Sequence, residues 1–331
     1  MEEGVSHRGD SHRVRGPLGR DEQDVQLDRT RGRLDGLAPA LLGANGRRLE
    51  FRENLIPATM LPAGRAFYKM SGSGNDFVMV DATKEQAISL YQPETVQVIC
   101  DRATGIGADG LVLLEPSDRA AFRMSYLNSD GSRADLCGNA TLCSARLASE
   151  LGIVRDKEFR IETDAGVLDA RLLDGAPQID LPPVVEVIRR MPFQLGDGEL
   201  WIGFANSGVP HLVVHVRDVS TVDVVGRGRP LRQDSSLPGG ANVNFVSTRG
   251  DGGWQIRTFE RGVEGETLAC GTGAVAAAIL LAESGEVADR VSLQTRSGKM
   301  LGVQLTRRED TWHPSLRGEA RIVFQGIFGE F

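Results

Sequence analysis

One unusual segment occurs twice in this chain, so whatever fold it takes must be built twice. The first copy reads RADLCGNATLCSARLASELG, Arg133–Gly152, and the second reads GETLACGTGAVAAAILLAESG, Gly265–Gly285. Each places a Leu shortly before a Cys-Gly, then an Ala-rich apolar run, an acid and a Gly. Cys137 to Gly152 spans 15 residues, as does Cys270 to Gly285. The pattern predicts a turn, a helix of about three turns and a glycine C-cap. Asn139 and Thr272 fall at or near the two N-caps, where their side chains would accept orphan N–H bonds. A second echo, Asn75-Asp76-Phe77-Val78 against Asn242-Val243-Asn244-Phe245-Val246, has an offset of about 168 rather than the 133 between the cysteines. The repeat is therefore loose, and it predicts two similar lobes, each offering one Cys at a helix start.

Short β-rich runs fill the intervals. They are Phe77–Asp81, Leu111–Glu115, Phe122–Leu127, Phe159–Thr163, Val167–Leu172, Leu212–Val216, Trp254–Phe259, Val291–Thr295, Met300–Leu305 and Ala320–Phe324. Lys84–Leu90 and Pro93–Arg102 carry helical spacing. Many strands with few long helices predict an α+β fold of two pseudo-symmetric lobes, each a mixed sheet or barrel around one central helix. The first lobe is expected over 66–186 with the last strand, 318–331, returning to it; the second is expected over 187–317. Residues 1–59 hold ten Arg, ten acids and no Lys, with little periodicity. Residues 1–65 therefore read as a disordered extension, or as upstream sequence before a start at Met60.

Several function classes fall away. A formal net charge of −7 argues against a nucleic-acid partner. No apolar run approaches the ~18 residues of a membrane span, so no membrane partner is expected. Four cysteines in 331 residues make no disulfide framework, and a reducing cytoplasm is the expected setting. No zinc spacing exists, and His211 and His215, at i and i+4 on one strand, lack further ligands, so no metal is expected. Gly105-Ile106-Gly107-Ala108-Asp109-Gly110 matches a dinucleotide fingerprint literally. Here a helix-like run precedes it and a strand follows, the reverse of what that site needs.

A thiol at a helix N-terminus feels the positive end of the dipole, and its pKa is expected to fall toward neutrality. The same helix start can hold a carboxylate. Two such helices facing one cleft would let one thiolate remove a proton from a carbon while the opposite thiol returns one to the other face. Positioned acid–base groups supply roughly 10²–10⁴ in rate, and preorganised N–H donors at the carboxylate must supply the rest. The competing reading makes Cys137 and Cys270 small buried hydrophobes. That reading is preferred for Cys100, on the apolar face of Val96, Ile99 and Cys100, and for Cys143 inside its helix.

At these residues the sequence resembles the diaminopimelate epimerase family. The segments are KMSGSGNDFVMVD (Lys69–Asp81), DRATGIGADG (Asp101–Gly110), LNSDGSRADLCGN (Leu127–Asn139), GVPH (Gly208–His211), NVNF (Asn242–Phe245) and FERGVEGETLACGTG (Phe259–Gly273). The resemblance implies two pseudo-symmetric lobes and a cofactor-independent epimerase that converts LL- to meso-diaminopimelate for lysine and peptidoglycan precursors. It implies Cys137 and Cys270 as the acid/base pair. Gly138, Asn139, Gly271 and Thr272 match the helix starts that bind the reacting end, and Asn75, Asn128, Asn242, Glu260 and Arg261 match substrate-binding positions. His211 and Glu260 match residues that tune the thiol pKa values. The partner is then a small amino-acid substrate, with a homodimer possible. Alternatives are a racemase of the same fold acting on another amino acid, and an inactive homologue that serves as a binding protein. Three departures stand out. Val209 replaces a family Asn, with Asn206 near enough to compensate. Gly110 lies where some members place Gln. Ala140-Thr141-Leu142-Cys143 replaces Gly-x-Arg-Cys.

Overall fold

The computed structural model describes residues 63–329. The expectation for the extension up to residue 62 lies outside the described residues. The first half runs Ala66–Gly72 (β1), Asn75–Asp81 (β2), Pro93–Cys100 (α1), Gly110–Glu115 (β3), Phe122–Asn128 (β4), Arg133–Ala134 (β5), Gly138–Glu150 (α2), Glu158–Thr163 (β6), Gly166–Leu173 (β7) and Ala176–Asp180 (β8). After Val187–Ile188 (β9) come Glu199–Asn206 (β10), Pro210–Val216 (β11), Val224–Arg232 (α3), Asn242–Thr248 (β12), Trp254–Glu260 (β13) and Gly265–Thr267 (β14). Gly271–Glu283 (α4), Arg290–Gln294 (β15), Met300–Arg308 (β16), Thr311–Gly318 (β17) and Arg321–Ile327 (β18) complete the chain.

The pairing pattern shows the duplication. In the first half β1–β2 is antiparallel, β2–β3 parallel, β3–β4 and β4–β5 antiparallel, β4–β6 parallel, and β6–β7 and β7–β8 antiparallel. In the second half β10–β11 is antiparallel, β11–β12 parallel, β12–β13 and β13–β14 antiparallel, β13–β15 parallel, and β15–β16 and β16–β17 antiparallel. Each half is flanked by an antiparallel partner, β18 on β1 and β9 on β10. The antiparallel pair β8–β17 joins the halves into one mixed sheet of eighteen strands.

The repeat is thus tighter than the sequence echo suggests. The counterpart of β2 is β11, not β12. Asn75 therefore corresponds to Pro210, an offset of 135 that nearly equals the 133 between the cysteines. The Asn242 echo compared β2 with β12, which is the parallel neighbour of the true mate β11.

Both faces of the central strands are covered, which is why they read as continuous apolar runs. Phe77, Met79, Val112 and Leu114 pack inward with α2, while Val78, Val80, Leu111 and Leu113 pack outward with Val96 and Ile99 of α1. In the second half Val213 and Val246 pack inward with α4, while Leu212, Val214, Val243 and Phe245 meet Val224 and Leu231 of α3. Ten of the thirteen residues of α2 are buried, and ten of thirteen in α4, as expected of helices enclosed by sheet.

Both helices stop in the same way. Gly152 has φ +68° and donates to the Ser149 carbonyl, while Ile153 donates to Ala148. Gly285 has φ +76° and donates to Ala282, while Glu286 donates to Leu281. These are two Schellman motifs, and the left-handed residue favours glycine in each.

Lys84–Leu90 is not a helix; only Ile88–Tyr91 forms a 3₁₀ turn. The Asp81 carboxylate accepts from the Thr83 N–H and hydroxyl, which diverts the backbone at the point where a helix would begin.

Candidate active site

The two cysteines hold equivalent positions. Each is the N-cap residue of its central helix, with φ −130°, ψ 112° at Cys137 and φ −138°, ψ 112° at Cys270. Their carbonyls accept the first helical bonds, from Thr141 at 2.9 Å and Ala274 at 3.0 Å. This corrects the expectation that Asn139 and Thr272 cap the helices. Asn139 instead donates to the Asn75 Oδ1 at 2.6 Å, and its own buried Oδ1 has no partner among the described residues. The Cys270 sulfur itself accepts from the Gly273 N–H at 3.3 Å.

The helix starts meet. A Cβ on Gly271 would lie 3.8 Å from the Gly138 Cα and 2.9 Å from the Leu316 Cδ2, and a Cβ on Gly138 would meet the same leucine atom at 2.9 Å. Both glycines pack on the fully buried Leu316, whose side-chain end would have to shift to admit a Cβ at either position. Above this junction lies a cavity of about 450 Å³. Cys137, Cys270, Gly138, Asn139, Gly271, Thr272, Asn75, Asn128, Asn242, Glu260 and Arg261 all line it. A second cavity of about 950 Å³ adjoins and shares Asn75, Asn128, Glu260 and Arg261.

Strand ends deliver these side chains to one rim. Asn75 opens β2, Asn242 opens β12, and Asn128 and Glu260 close the mates β4 and β13. Asp109 accepts from the Asn75 amide at 2.9 Å and is itself held by Arg102 at 2.7 Å. The Asn242 Oδ1 accepts from the Arg261 N–H at 2.8 Å, and the Arg261 guanidinium donates to the Gly239 carbonyl at 2.9 Å. Asn128 donates to the Ser132 hydroxyl at 3.0 Å. Of the sequence-predicted residues only His211 does not line the cavity. It lies behind it, buried, with Nε2 at 2.9 Å from the Thr272 hydroxyl.

The charges oppose the expectation of a lowered thiol pKa. Burial pushes both Cys137 and Cys270 from the ordinary 9.0 up to about 12. Nearby N–H groups, of Ala140 and Asn139 for Cys137 and of Gly273 for Cys270, pull the other way. A rise of that size is on the order of 4 kcal/mol, whereas a helix N-terminus supplies about 1–2 kcal/mol at best. Desolvation wins, and burial holds both thiols neutral. Burial also raises Glu260 and holds His211 down at about 3, so the imidazole is neutral.

Three comparisons with known proteins bear on the family and the fold. A sequence model described as diaminopimelate epimerase matches residues 67–183 and 203–323. The chain is 47% identical over 273 residues to diaminopimelate epimerase of Gemmatimonas aurantiaca, covering 79% of this chain and 98% of that protein. It is 41% identical to that of Aquifex aeolicus, covering 80% and 98%. The chain belongs to the diaminopimelate epimerase family. Solved structures show the same fold at low identity. A phenazine biosynthesis protein of the PhzF family from Bacillus anthracis superimposes with a TM-score of 0.63 at 18% identity, covering 80% of this chain and 98% of the other. A hydroxyproline epimerase from Agrobacterium vitis gives 0.59 at 18%, covering 79% and 91%.

Within the diaminopimelate epimerase family, the departures in this chain have structural readings. Val209 lines the cavity. Asn206 does not, and its amide is engaged with the Glu186 carboxylate at 3.2 Å, so it does not compensate. At Gly110 a Cβ would lie 2.5 Å from the Tyr126 ring and 2.5 Å from the Leu127 carbonyl oxygen. The Tyr126 ring therefore fills the space that a Gln side chain would enter. Tyr126 lines both cavities and was missed from sequence, because an aromatic in an apolar strand carries no signal beyond packing. Ala140, Thr141, Leu142 and Cys143 are all buried in α2, so the apolar Leu142 packs in the core where the family's Arg would stand.

Proposed function

We propose that this enzyme interconverts LL- and meso-diaminopimelate by two-base proton transfer between Cys137 and Cys270, without a cofactor. The observation that carries this reading is two thiols capping two buried helices whose starts touch beneath one cavity. The substrate's reacting carboxylate sits on the N–H groups at Gly138, Asn139, Gly271 and Thr272, where two helix dipoles converge. The cavity brings the substrate's ammonium group beside thiols that are neutral when it is empty. One thiol then loses its proton to water, and the ammonium charge favours the thiolate. That thiolate takes the α-proton, breaking the C–H bond. The electron pair delocalises onto the carboxylate, where the N–H donors stabilise it. The opposite thiol delivers its proton to the other face, which leaves a thiolate there and an inverted centre.

The distal end of the substrate meets Asn75, Asn128, Asn242 and Glu260, with the planar Arg261 fork available to its carboxylate. Glu260 and His211 set the thiol environment. Four free thiols suit a reducing cytoplasm, where we place the enzyme.

Proton NMR in deuterated water with LL-diaminopimelate and no additive tests the reading. Loss of the α-proton signal with meso product supports it. Folded, reduced protein that exchanges nothing sinks it.

A homodimer is the accompanying proposal. β18 pairs only with β1 among the described residues, and its Val323, Phe324 and Ile327 are exposed. An unpaired apolar edge of this kind invites a second strand. Sedimentation of the wild type as a dimer, with Ile327→Glu shifted to monomer, is expected; a monomeric wild type removes the proposal.

A further inference from the structure

Behind Cys270 lies a run of donors whose direction is fixed several bonds away from the sulfur. Asn244, on β12, is fully buried and outside the cavity. Its Nδ2 lies 3.0 Å from the Leu212 carbonyl and 3.1 Å from the His211 Nδ1, while its Oδ1 accepts from the Thr258 hydroxyl at 2.9 Å. A carbonyl can only accept, so the Leu212 contact fixes which end of the amide carries the hydrogens. The second N–H must then donate to the His211 Nδ1. In a neutral imidazole whose Nδ1 accepts, the proton sits on Nε2. Nε2–H donates to the Thr272 oxygen at 2.9 Å, which leaves the Thr272 hydrogen free to turn to the Cys270 sulfur at 3.5 Å.

A second observation ties Asn244 to the same helix start. A Cβ on Gly273, in the first turn of α4, would fall 2.2 Å from the Asn244 Oδ1. The amide therefore packs directly on the backbone that carries Cys270, and that position admits no side chain.

The first lobe lacks this run. Gly110 and Asn242 open the mates β3 and β12, so Asn244 corresponds to Val112. Likewise His211 corresponds to Asp76 and Thr272 to Asn139. The Asp76 carboxylate bonds Lys69 and Arg102 instead, and Asn139 bonds Asn75.

We propose that Asn244 is a positioning residue: it fixes His211 as the Nε2–H tautomer, so that the chain Asn244–His211–Thr272 ends in an O–H aimed at Cys270 and makes Cys270, rather than Cys137, the preferred thiolate. The inference deepens the two-base reading above and rests on it for its catalytic meaning.

The test reads the tautomer and the thiols directly, so it stands apart from any assay of substrate. Nitrogen NMR of His211, assigned with a His211→Gln sample, is expected to show the proton on Nε2 in the wild type. In Asn244→Asp the carboxylate can only accept, so the proton moves to Nδ1 and the chain reverses. Alkylation of each cysteine by iodoacetamide is then followed against pH by mass spectrometry, because the thiolate is the reactive form. The charged or titratable groups facing Cys270 are Glu260 and Cys137, and Arg261 faces His211; Asn244→Asp adds a carboxylate to them, so the uncharged Asn244→Ala is measured beside it and the Cys270 rate must fall in both. At neutral pH the Cys270 rate is expected to fall roughly tenfold in Asn244→Asp, one pKa unit's worth of thiolate, while the Cys137 rate holds. Asn244→Ala leaves Nδ1 without its donor and adds no charge, so a Cys270 rate that falls in Asn244→Asp but not in Asn244→Ala also overturns the proposal. A wild-type proton on Nδ1, or Cys270 alkylation in the variant that superimposes on wild type, overturns the proposal.

Discussion

At the residue scale, the two thiols are alike in backbone and unlike in surroundings. Cys270 receives an N–H from Gly273 and faces the Thr272 hydroxyl, whereas Cys137 has only backbone donors near it. A serine at either position keeps the shape and replaces the thiol by a far weaker acid, one that a substrate ammonium cannot bring to ionise. Cys137→Ser and Cys270→Ser are each expected to cut epimerisation by roughly a hundredfold or more, the scale of one lost acid or base. Circular dichroism on the same samples shows that the fold is kept. A near-wild-type rate in either variant ends the two-base mechanism. The cysteines were legible in the sequence because their context is duplicated. Asn244 was not, since it acts through His211 on the adjacent strand, and Tyr126 was not, since an aromatic in an apolar strand reads as packing. The lowered thiol pKa expected from helix position also failed, because the depth of burial that overrides the dipole is a tertiary property.

At the scale of elements, α2 and α4 hold the chemistry by touching at Gly138 and Gly271 above Leu316. Gly271→Ala would press its methyl against the Leu316 Cδ2 at 2.9 Å, so either that leucine or the start of α4 must shift to admit it. A loss of at least tenfold in kcat/KM is expected, because displacing N–H donors by a few tenths of an ångström weakens every bond to the reacting carboxylate. Leu316→Ala alone removes a fully buried side chain and is expected to cost about 2–5 kcal/mol of stability. Combining the two gives the new methyl room, so the double variant is expected to recover part of the lost activity. A double variant no better than Gly271→Ala would show that the two sites do not couple. These helices were readable from sequence because apolar Ala-rich runs and glycine stops survive any context. α3 was not, since its GRGRP core contains two glycines and Pro230 and has too little apolar spacing to read as a helix. The N-caps were misplaced by two residues because cysteine is no common cap; the extended backbone before Gly-Asn and Gly-Thr sets them.

At the scale of the whole molecule, the buried titratable groups bound the pH range in which the fold is most stable. His211 is fully buried and neutral, with its pKa held at about 3 against the ordinary 6.5, and burial lowers His215 in the same direction. The unfolded chain protonates both histidines below about 6.5, so stability present above that value is lost as pH falls toward 3. Cys137, Cys270 and Cys100 work from the other side. Their thiols rise from 9.0 to about 12 on burial, so the unfolded chain ionises first and stability declines as pH climbs above 9. Raised Glu260 opposes the histidines slightly in acid, because its folded form gains a proton more readily. Lowered carboxylates such as Asp76 contribute only near and below 3.8, outside the interval between pH 7.5 and pH 5. The expected profile is a plateau between roughly 6.5 and 9, with the His211 share alone removing about 2 kcal/mol by pH 5. Urea unfolding at pH 7.5 and pH 5 measures the drop. In His211→Gln, which cannot titrate, the same interval should show a drop smaller by about that amount, the remainder belonging to His215. A wild type equally stable at both pH values would mean that His211 is not buried neutral, and the donor chain to Cys270 would lose its fixed direction with it.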